Sequence, residues 1–367
     1  MGPRVLTWGP DMPLRSPASS PPSLAVVAAR VDARIERLFD AELARWRALD
    51  ANLVEPLQSL QRLVDAGGKR LRPSFCFWGF VGAGGDADDQ RVVDAGAAFE
   101  LLHAFALVHD DVMDGSDTRR GEVTAHVEFG EMHRSSGTWR GEARRFGEGV
   151  AILIGDLSHV YADLLLDGAH ADVAPIWHEL RLELNVGQYL DILGTARADR
   201  DPATARRIAR YKSGKYTIER PLHVGAALAG HLHDLSAPLS AYGDPLGEAF
   251  QLRDDVLGAF GDEALTGKPV GQDLREGKPT PLLAAATRRA STGQSQVLDR
   301  VGADDLSDGE IADAQQVLLD TGAMDEMEAR ITQLTEQAVA AIQVAGITTE
   351  ARDALVELAT FVAARES

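Results

Sequence analysis

From Ala95 to His109 the chain reads Ala-Gly-Ala-Ala-Phe-Glu-Leu-Leu-His-Ala-Phe-Ala-Leu-Val-His, apolar nearly all the way round a helix. A helix of that kind has no face to give to water and belongs at the centre of a bundle. It runs directly into Asp110-Asp111-Val112-Met113-Asp114, so the central helix delivers carboxylates to one end of the core. A second apolar stretch, Leu246 to Leu257, carries Asp254-Asp255. Two apolar helices that each bring paired aspartates suggest carboxylates facing one another across a cavity.

The remaining sequence fits that frame. Val27, Val31, Ile35 and Leu38 recur at helical steps, Ala- and Leu-rich windows dominate, and strand signals are few. The expected fold is all-α, a single large helical bundle around a central apolar cavity. A chain of 367 residues accommodates one helical domain with a tail. Residues 1–22, rich in Pro and Ser, read as a disordered tail. Residues 23–367 read as one domain, and within it the polar, Gly- and Arg-rich stretch 128–148 reads as a long surface loop. The formal charge of −19 argues against nucleic-acid binding, which needs a basic surface. An anionic substrate would have to be held by local Lys and Arg or through bridging metal ions. The single cysteine, Cys76, permits no internal disulfide. No run of about 18 apolar residues suggests a membrane span, and no leader pattern opens the sequence. The expected location is the cytoplasm.

On a helix Asp110 and Asp114 lie on one face and can share a divalent cation, since carboxylate oxygens suit Mg²⁺. Alone, such a string is equally a solvated acidic helix end. The second pair, Asp254-Asp255, shifts the balance, as do the cations nearby. Arg119-Arg120 follows the first cluster, Lys268 and Lys278 follow the second, and Lys212 and Lys215 sit in Tyr-Lys-Ser-Gly-Lys-Tyr. A further basic cluster, Gly67-Gly-Lys-Arg-Leu-Arg-Pro73, lies upstream. Glycines beside Lys and Arg suit close approach to phosphate oxygens.

In this order the motifs resemble the trans-type prenyl diphosphate synthases. The resemblance runs through Gly68-Lys-Arg-Leu-Arg-Pro73, Asp110-Asp-Val-Met-Asp114, Asp117-Thr-Arg-Arg-Gly121, Gly155-Asp156 and Gly187-Gln-Tyr-Leu-Asp191. It continues through Lys212-Ser-Gly-Lys-Tyr-Thr217, Phe250-Gln-Leu-Arg-Asp-Asp255, Gly267-Lys-Pro269 and Asp273-Leu-Arg-Glu-Gly-Lys-Pro-Thr280. It implies a Mg²⁺-dependent prenyltransferase, with three ions per active site, that condenses an allylic diphosphate (dimethylallyl, geranyl or farnesyl) with isopentenyl diphosphate. Asp110, Asp114 and Asp254 would bind metal, with Asp111 in support. Arg119, Lys212, Ser213, Gln251, Lys268 and Lys278 would hold the allylic diphosphate. Lys69, Arg72, His103 and Arg120 would hold the other diphosphate. Phe105, Ala106 and Leu102, four to eight positions before Asp110, would form the floor that limits product length. One aromatic at Phe105 points to a C20 product, geranylgeranyl diphosphate, with C15 as the alternative. The resemblance also implies a homodimer.

Two departures from the family pattern stand out. Gly258 occupies the place of a third aspartate in the second acidic motif, with Asp262 as a candidate substitute through water, and Ser213 replaces a threonine. A class I terpene cyclase, a non-catalytic partner subunit and a plain helical scaffold are the competing readings. The intact Gly68-to-Pro73 cluster opposes the first and the two acidic motifs oppose the second.

Overall fold

The computed structural model describes residues 21–261 and 270–365. The chain enters through α1 (Pro22–Leu49), a 3₁₀ turn (Ala51–Leu53), α2 (Val54–Asp65) and α3 (Leu71–Gly82). The central helix α4 (Gln90–Asp114) leads into a two-residue hairpin, β1 (Thr118–Arg119) and β2 (Glu122–Val123). Next come α5 (Ala125–Ser136), α6 (Ala143–Leu165), α7 (Val173–Ala196) and α8 (Pro202–Ile208), the last continuing into a π-helix (Ala209–Glu219). Then follow α9 (Arg220–Leu228), α10 (Leu232–Phe260), α11 (Gln272–Glu276), α12 (Pro281–Arg289) and α13 (Thr292–Leu298). The chain closes with α14 (Asp308–Asp320), α15 (Ala323–Gln343) and α16 (Thr349–Ala364). The all-α expectation holds.

Helix α4 packs against α6, α3, α1, α2 and α9. Its side chains from Ala97 to Leu102 are all buried, and its most apolar 18-residue window is 67% covered by neighbouring helices. By length and composition alone it could cross a membrane, but here the bundle takes that role. Asp89 caps its start, and Gly115, in the left-handed conformation, ends it directly after Asp114. The buried apolar residues form one connected core that reaches from Leu24 to Val362.

The stretch 128–148 is not a long loop. It belongs to α5 and α6, and only residues 137–142 between them are non-helical. Phe129, Gly130 and His133 are buried against α6, and the rings of His133, Trp139 and Phe146 meet edge-on or tilted at 5.2–5.8 Å. Gly147 is a helix contact point: a β-carbon there would overlap the carbonyl of His126. As for the expected N-terminal tail, residues 1–20 lie outside the described residues, whereas Pro22 already begins α1.

Candidate active site

The carboxyl ends of α4 and α10 meet the N-terminal edge of α3 around a cleft of about 560 Å³, a size that suits a small organic ligand. One wall carries Asp110 and the opposite wall carries Asp254 and Asp255. Between them stand Lys69, Arg72, His103, Arg119, Arg120, Lys212, Ser213, Gln251 and Lys278, all lining the same space. Leu107, Leu184 and Ala106 add an apolar side. Expected residues from distant parts of the sequence are thus brought together, although Asp111 and Asp114 are not among those that line the cleft. Lys268 and Asp262 lie outside the described residues.

Asp110, Asp111, Asp114 and Asp254 are each answered by a cation of the chain itself. Asp110 accepts from Lys212 Nζ at 3.1 Å and from Gln188 Nε2 at 2.8 Å. Burial opposes its ionisation, but Lys212, Lys278 and Arg119 together hold it well below the usual carboxylate range. Asp111 is buried and paired with Arg119 at 2.5 Å, so its part is to fix that arginine. Asp114 sits 3.3 Å from Lys278; burial and the neighbouring Asp110 push it up to about 6. Lys278 is in turn held by Glu276 at 2.6 Å. On the far wall Asp254 pairs with Arg365 at 2.6 Å. Asp255 accepts from Gln251 at 2.8 Å through one oxygen, while its other, buried oxygen has no hydrogen-bond partner. Burial and the charges of Asp273, Asp254 and Asp191 hold Asp255 well above the ordinary range.

The second cation group is built differently. At the start of α3, Arg70 adopts a left-handed backbone (φ 49°) and turns inward to clamp Glu100 at 2.6 Å and Asp32 at 2.7 Å. That leaves its neighbours Lys69 and Arg72 facing the cleft. Burial and the proximity of Arg365 lower Lys69 to about 8. The Arg72 guanidinium lies 4.2 Å from the Tyr216 ring centre, with its Nε unpaired. His103, also on this side, has no partner at Nδ1. Burial and the surrounding arginines keep its imidazole neutral.

Two local devices set these side chains. Arg120 and Gly121, at φ 55° and 79°, form the tight turn of the β1–β2 hairpin. The turn sends Arg119 to Asp111 and Arg120 back to the Gly67 carbonyl. The π-helix is the other device, a rare form that is frequent at functional sites. Gly187 of α7 lets its backbone come close, since a β-carbon there would overlap the Lys212 amide. Lys212 and Ser213 then line the cleft, whereas Lys215 turns away to Glu183 at 2.9 Å and Glu219 at 3.4 Å. Lys215 therefore serves packing.

Of the three residues expected at the floor, only Ala106 lines the cleft. Leu102 is fully buried in the core. Phe105 points towards α6, its ring stacked on His159 at 4.8 Å and against the edge of His109 at 4.7 Å. The sequence reading missed Gln188, Asp191, Asp273 and Arg365. Asp191 holds Lys212 at 2.6 Å, and both Gln188 and Asp191 stood in a motif already singled out. Arg365 carried no signal.

The donors are all carboxylate oxygens, which fits a hard cation such as Mg²⁺, and one buried oxygen of Asp255 has no hydrogen-bond partner of its own. Among the described residues no three of them converge as a ready-made cage. A cation here would complete its shell with water and substrate phosphate, the habit of Mg²⁺.

The comparisons agree with the geometry. Residues 55–318 match the polyprenyl synthetase family model. The chain is 33% identical to the geranylfarnesyl diphosphate synthase of Aeropyrum pernix, covering 75% of this chain and 83% of that protein. It is 31% identical to the (2E,6E)-farnesyl diphosphate synthase of Mycobacterium bovis, covering 82% and 80%. The solved geranylgeranyl pyrophosphate synthase of Corynebacterium glutamicum, complexed with isoprenyl diphosphate and magnesium, superposes with a TM-score of 0.88. That match is 37% identical and covers 93% of this chain and 99% of that one.

Because Asp114 is raised in the folded state, its charge opposes folding wherever it is ionised in the native protein. Asp114→Asn is expected to stabilise the metal-free protein at pH 8 by about 1–3 kcal/mol. The gain should shrink as pH falls through about 6 and vanish below 3.8, where the carboxyl is protonated folded and unfolded alike. Urea unfolding in chelator across this range checks it, and a loss of stability at pH 8 would contradict it.

Proposed function

This chain belongs to the polyprenyl synthetase family, the trans-type prenyl diphosphate synthases, and on that premise we propose that its product is the C20 geranylgeranyl diphosphate. As a family member it is a prenyltransferase that joins an allylic diphosphate to isopentenyl diphosphate. The observation that carries the reading is a single cleft in which two carboxylate walls and two separate groups of cations face one another. A terpene cyclase has no use for the second group.

In this reading Asp110, Asp114 and Asp254 hold the magnesium ions, three per site. Arg119, Lys212, Ser213, Gln251, Lys278 and Lys268 grip the allylic diphosphate. Lys69, Arg72, His103 and Arg120 grip the diphosphate of isopentenyl diphosphate, His103 as a neutral imidazole. When bound, magnesium neutralises charge on the departing diphosphate. The chain's own cations, fixed beforehand by Asp191, Asp111 and Glu276, add to that stabilisation without reorganising. Holding both diphosphates in one cleft brings the double bond of one substrate to the allylic carbon of the other. Leu107, Leu184 and Ala106 keep that carbon in apolar surroundings, which protects a cationic carbon from water. A proton is then lost, and the released diphosphate is its acceptor.

The C20 assignment draws on likeness to the Corynebacterium glutamicum geranylgeranyl pyrophosphate synthase and on Ala106, the small residue that α4 presents to the cleft. Phe105, one step round the helix, does not line the cleft, so a limit it sets on length would act through its packing against α6. Incubating the purified protein with Mg²⁺, isopentenyl diphosphate and each allylic starter, then separating the products, is expected to give mainly C20. Ala106→Phe should shorten the product to C15, and Phe105→Ala should shift it towards C25. A different wild-type product overturns the assignment, and unchanged lengths in both active variants remove its structural basis.

We further propose a homodimer through α6 and α7. Leu153, Val160 and Leu164 on the first helix, with Leu182, Val186 and Tyr189 on the second, are each more than half exposed. Large apolar side chains left exposed in such number mark an interface. A cytoplasmic location accords with the single, fully buried cysteine. Sedimentation is expected to give twice the chain mass, and Leu153→Glu with Leu182→Glu to give the monomer. A wild-type monomer would contradict the dimer.

A further inference from the structure

Lys215 and Arg220 stand five residues apart, and in an α-helix they would leave from different faces, since only residues three or four apart are neighbours there. Both reach the same carboxylate. Lys215 Nζ donates to Glu183 Oε1 at 2.9 Å, and Arg220 donates to both Glu183 oxygens, from Nε at 2.8 Å and from Nη2 at 2.7 Å. The backbone shows how this is possible. The Arg220 amide donates to the Lys215 carbonyl, the five-residue step that defines a π-helix. Glu183 closes through side chains the same step that this hydrogen bond closes through the main chain.

Glu183 is buried. Burial opposes its ionisation, but hydrogen bonds from Arg220 and Lys215 hold it below the usual carboxylate range. It is the first of three α7 residues, spaced a helical turn apart, that meet the π-helix. Gly187, four residues on, admits the Lys212 amide, and Asp191, four further, holds Lys212 Nζ at 2.6 Å. Helix α10 presses from the other side, where β-carbons on Gly247 and Gly243 would overlap the backbones of Gly214 and Glu219. Close backbone contact alone accepts several helical registers. The Glu183 bridge accepts one, because it needs residues 215 and 220 on the same side.

We propose that Glu183 is a positioning residue for the prenyl transfer: by bridging Lys215 and Arg220 it holds residues 209–219 in the π-helical register that sets Lys212 and Ser213 into the cleft. This role rests on the reading of Lys212 as a grip on the allylic diphosphate. If the step from Lys215 to Arg220 closed as an ordinary α-helical turn, the residues before it would rotate against α9 by one residue's worth. That is about 100° at 3.6 residues per turn, enough to take Lys212 away from Asp110 and Asp191. Neither Glu183 nor Lys215 lines the cleft, so their effect on the reaction passes through Lys212 and Ser213.

The test is steady-state kinetics with both substrates varied, with urea unfolding midpoints measured alongside. Glu183→Gln keeps the size and removes the charge. It is expected to lower kcat/KM for the allylic substrate about ten- to a hundredfold, as a misplaced reacting group does, and to leave the KM for isopentenyl diphosphate nearly unchanged. Lys215→Met leaves Glu183 paired with Arg220, so it should fold with a near-normal midpoint and still show the selective allylic loss. It decides the matter if Glu183→Gln does not fold. Asp94→Asn, which loses the ion pair to Arg34 between α1 and α4, should lower the midpoint and spare the allylic kcat/KM. An unchanged allylic kcat/KM in folded Lys215→Met overturns the proposal. So does an equal weakening of both substrates, or a loss in Asp94→Asn as large as in Glu183→Gln, which would reduce the effect to general destabilisation. Lys212→Ala separates this failure from a deeper one. If it spares the allylic substrate, the reading of Lys212 fails. If it weakens that substrate while Glu183→Gln and Lys215→Met do not, only the role of Glu183 falls.

Discussion

Carboxylates gathered at the end of a buried helix repel one another, and the rest of the site is arranged around that repulsion. Taking such charges out of water is costly unless each finds a partner. Here three of the partners come from distant parts of the chain, Lys212 for Asp110, Lys278 for Asp114 and Arg365 for Asp254, while Arg119 reaches Asp111 from the hairpin just beyond α4. In the proposed reading these pairs occupy the ground that metal and diphosphate need. The ligand-free cleft is therefore balanced internally, and substrate binding exchanges one set of opposite charges for another.

This exchange requires cations that are held firmly yet face the cavity. Both local devices achieve it through backbone geometry. The turn at Arg120-Gly121 splits two adjacent arginines between two destinations, and the π-helix splits two lysines of one motif in the same manner. Lys212 faces the cleft, and Lys215 is locked by Glu183 and Glu219 into the scaffold behind it. Arg70 repeats the pattern at α3, where its inward clamp leaves Lys69 and Arg72 free to face inward to the cleft. In each case one basic residue of a motif builds the wall and its neighbour works at the surface of that wall.

Much of this was legible in the sequence, for identifiable reasons. The all-round apolar character of α4 forces burial, and its aspartates mark the end that meets the cavity. The cationic motifs announced themselves by glycines beside Lys and Arg. What remained hidden depended on three-dimensional contact. Residues 128–148 looked like a loop because the stretch is polar and rich in Gly and Arg, although Gly130 and Gly147 are where two helices touch. The π-helix has the composition of an ordinary helix, so nothing foretold that Lys215 would turn away. Phe105 and Ala106 are neighbours in sequence, but the helix turns one towards His159 and the other into the cleft. Arg365 lies near the end of the chain and becomes part of the site only because α16 returns to α10.

The account stands on two cation groups serving two different diphosphates in one cleft, and steady-state kinetics with both substrates varied tests that most directly. A charge-assisted contact to phosphate contributes about 1.5–3 kcal/mol, so losing one changes affinity roughly ten- to a hundredfold. Lys69→Ala is expected to raise KM for isopentenyl diphosphate by that factor and to leave the allylic KM nearly unchanged, while Lys212→Ala should do the reverse. If both variants weaken both substrates to the same extent, the cleft does not hold two distinct diphosphate sites and the account is wrong.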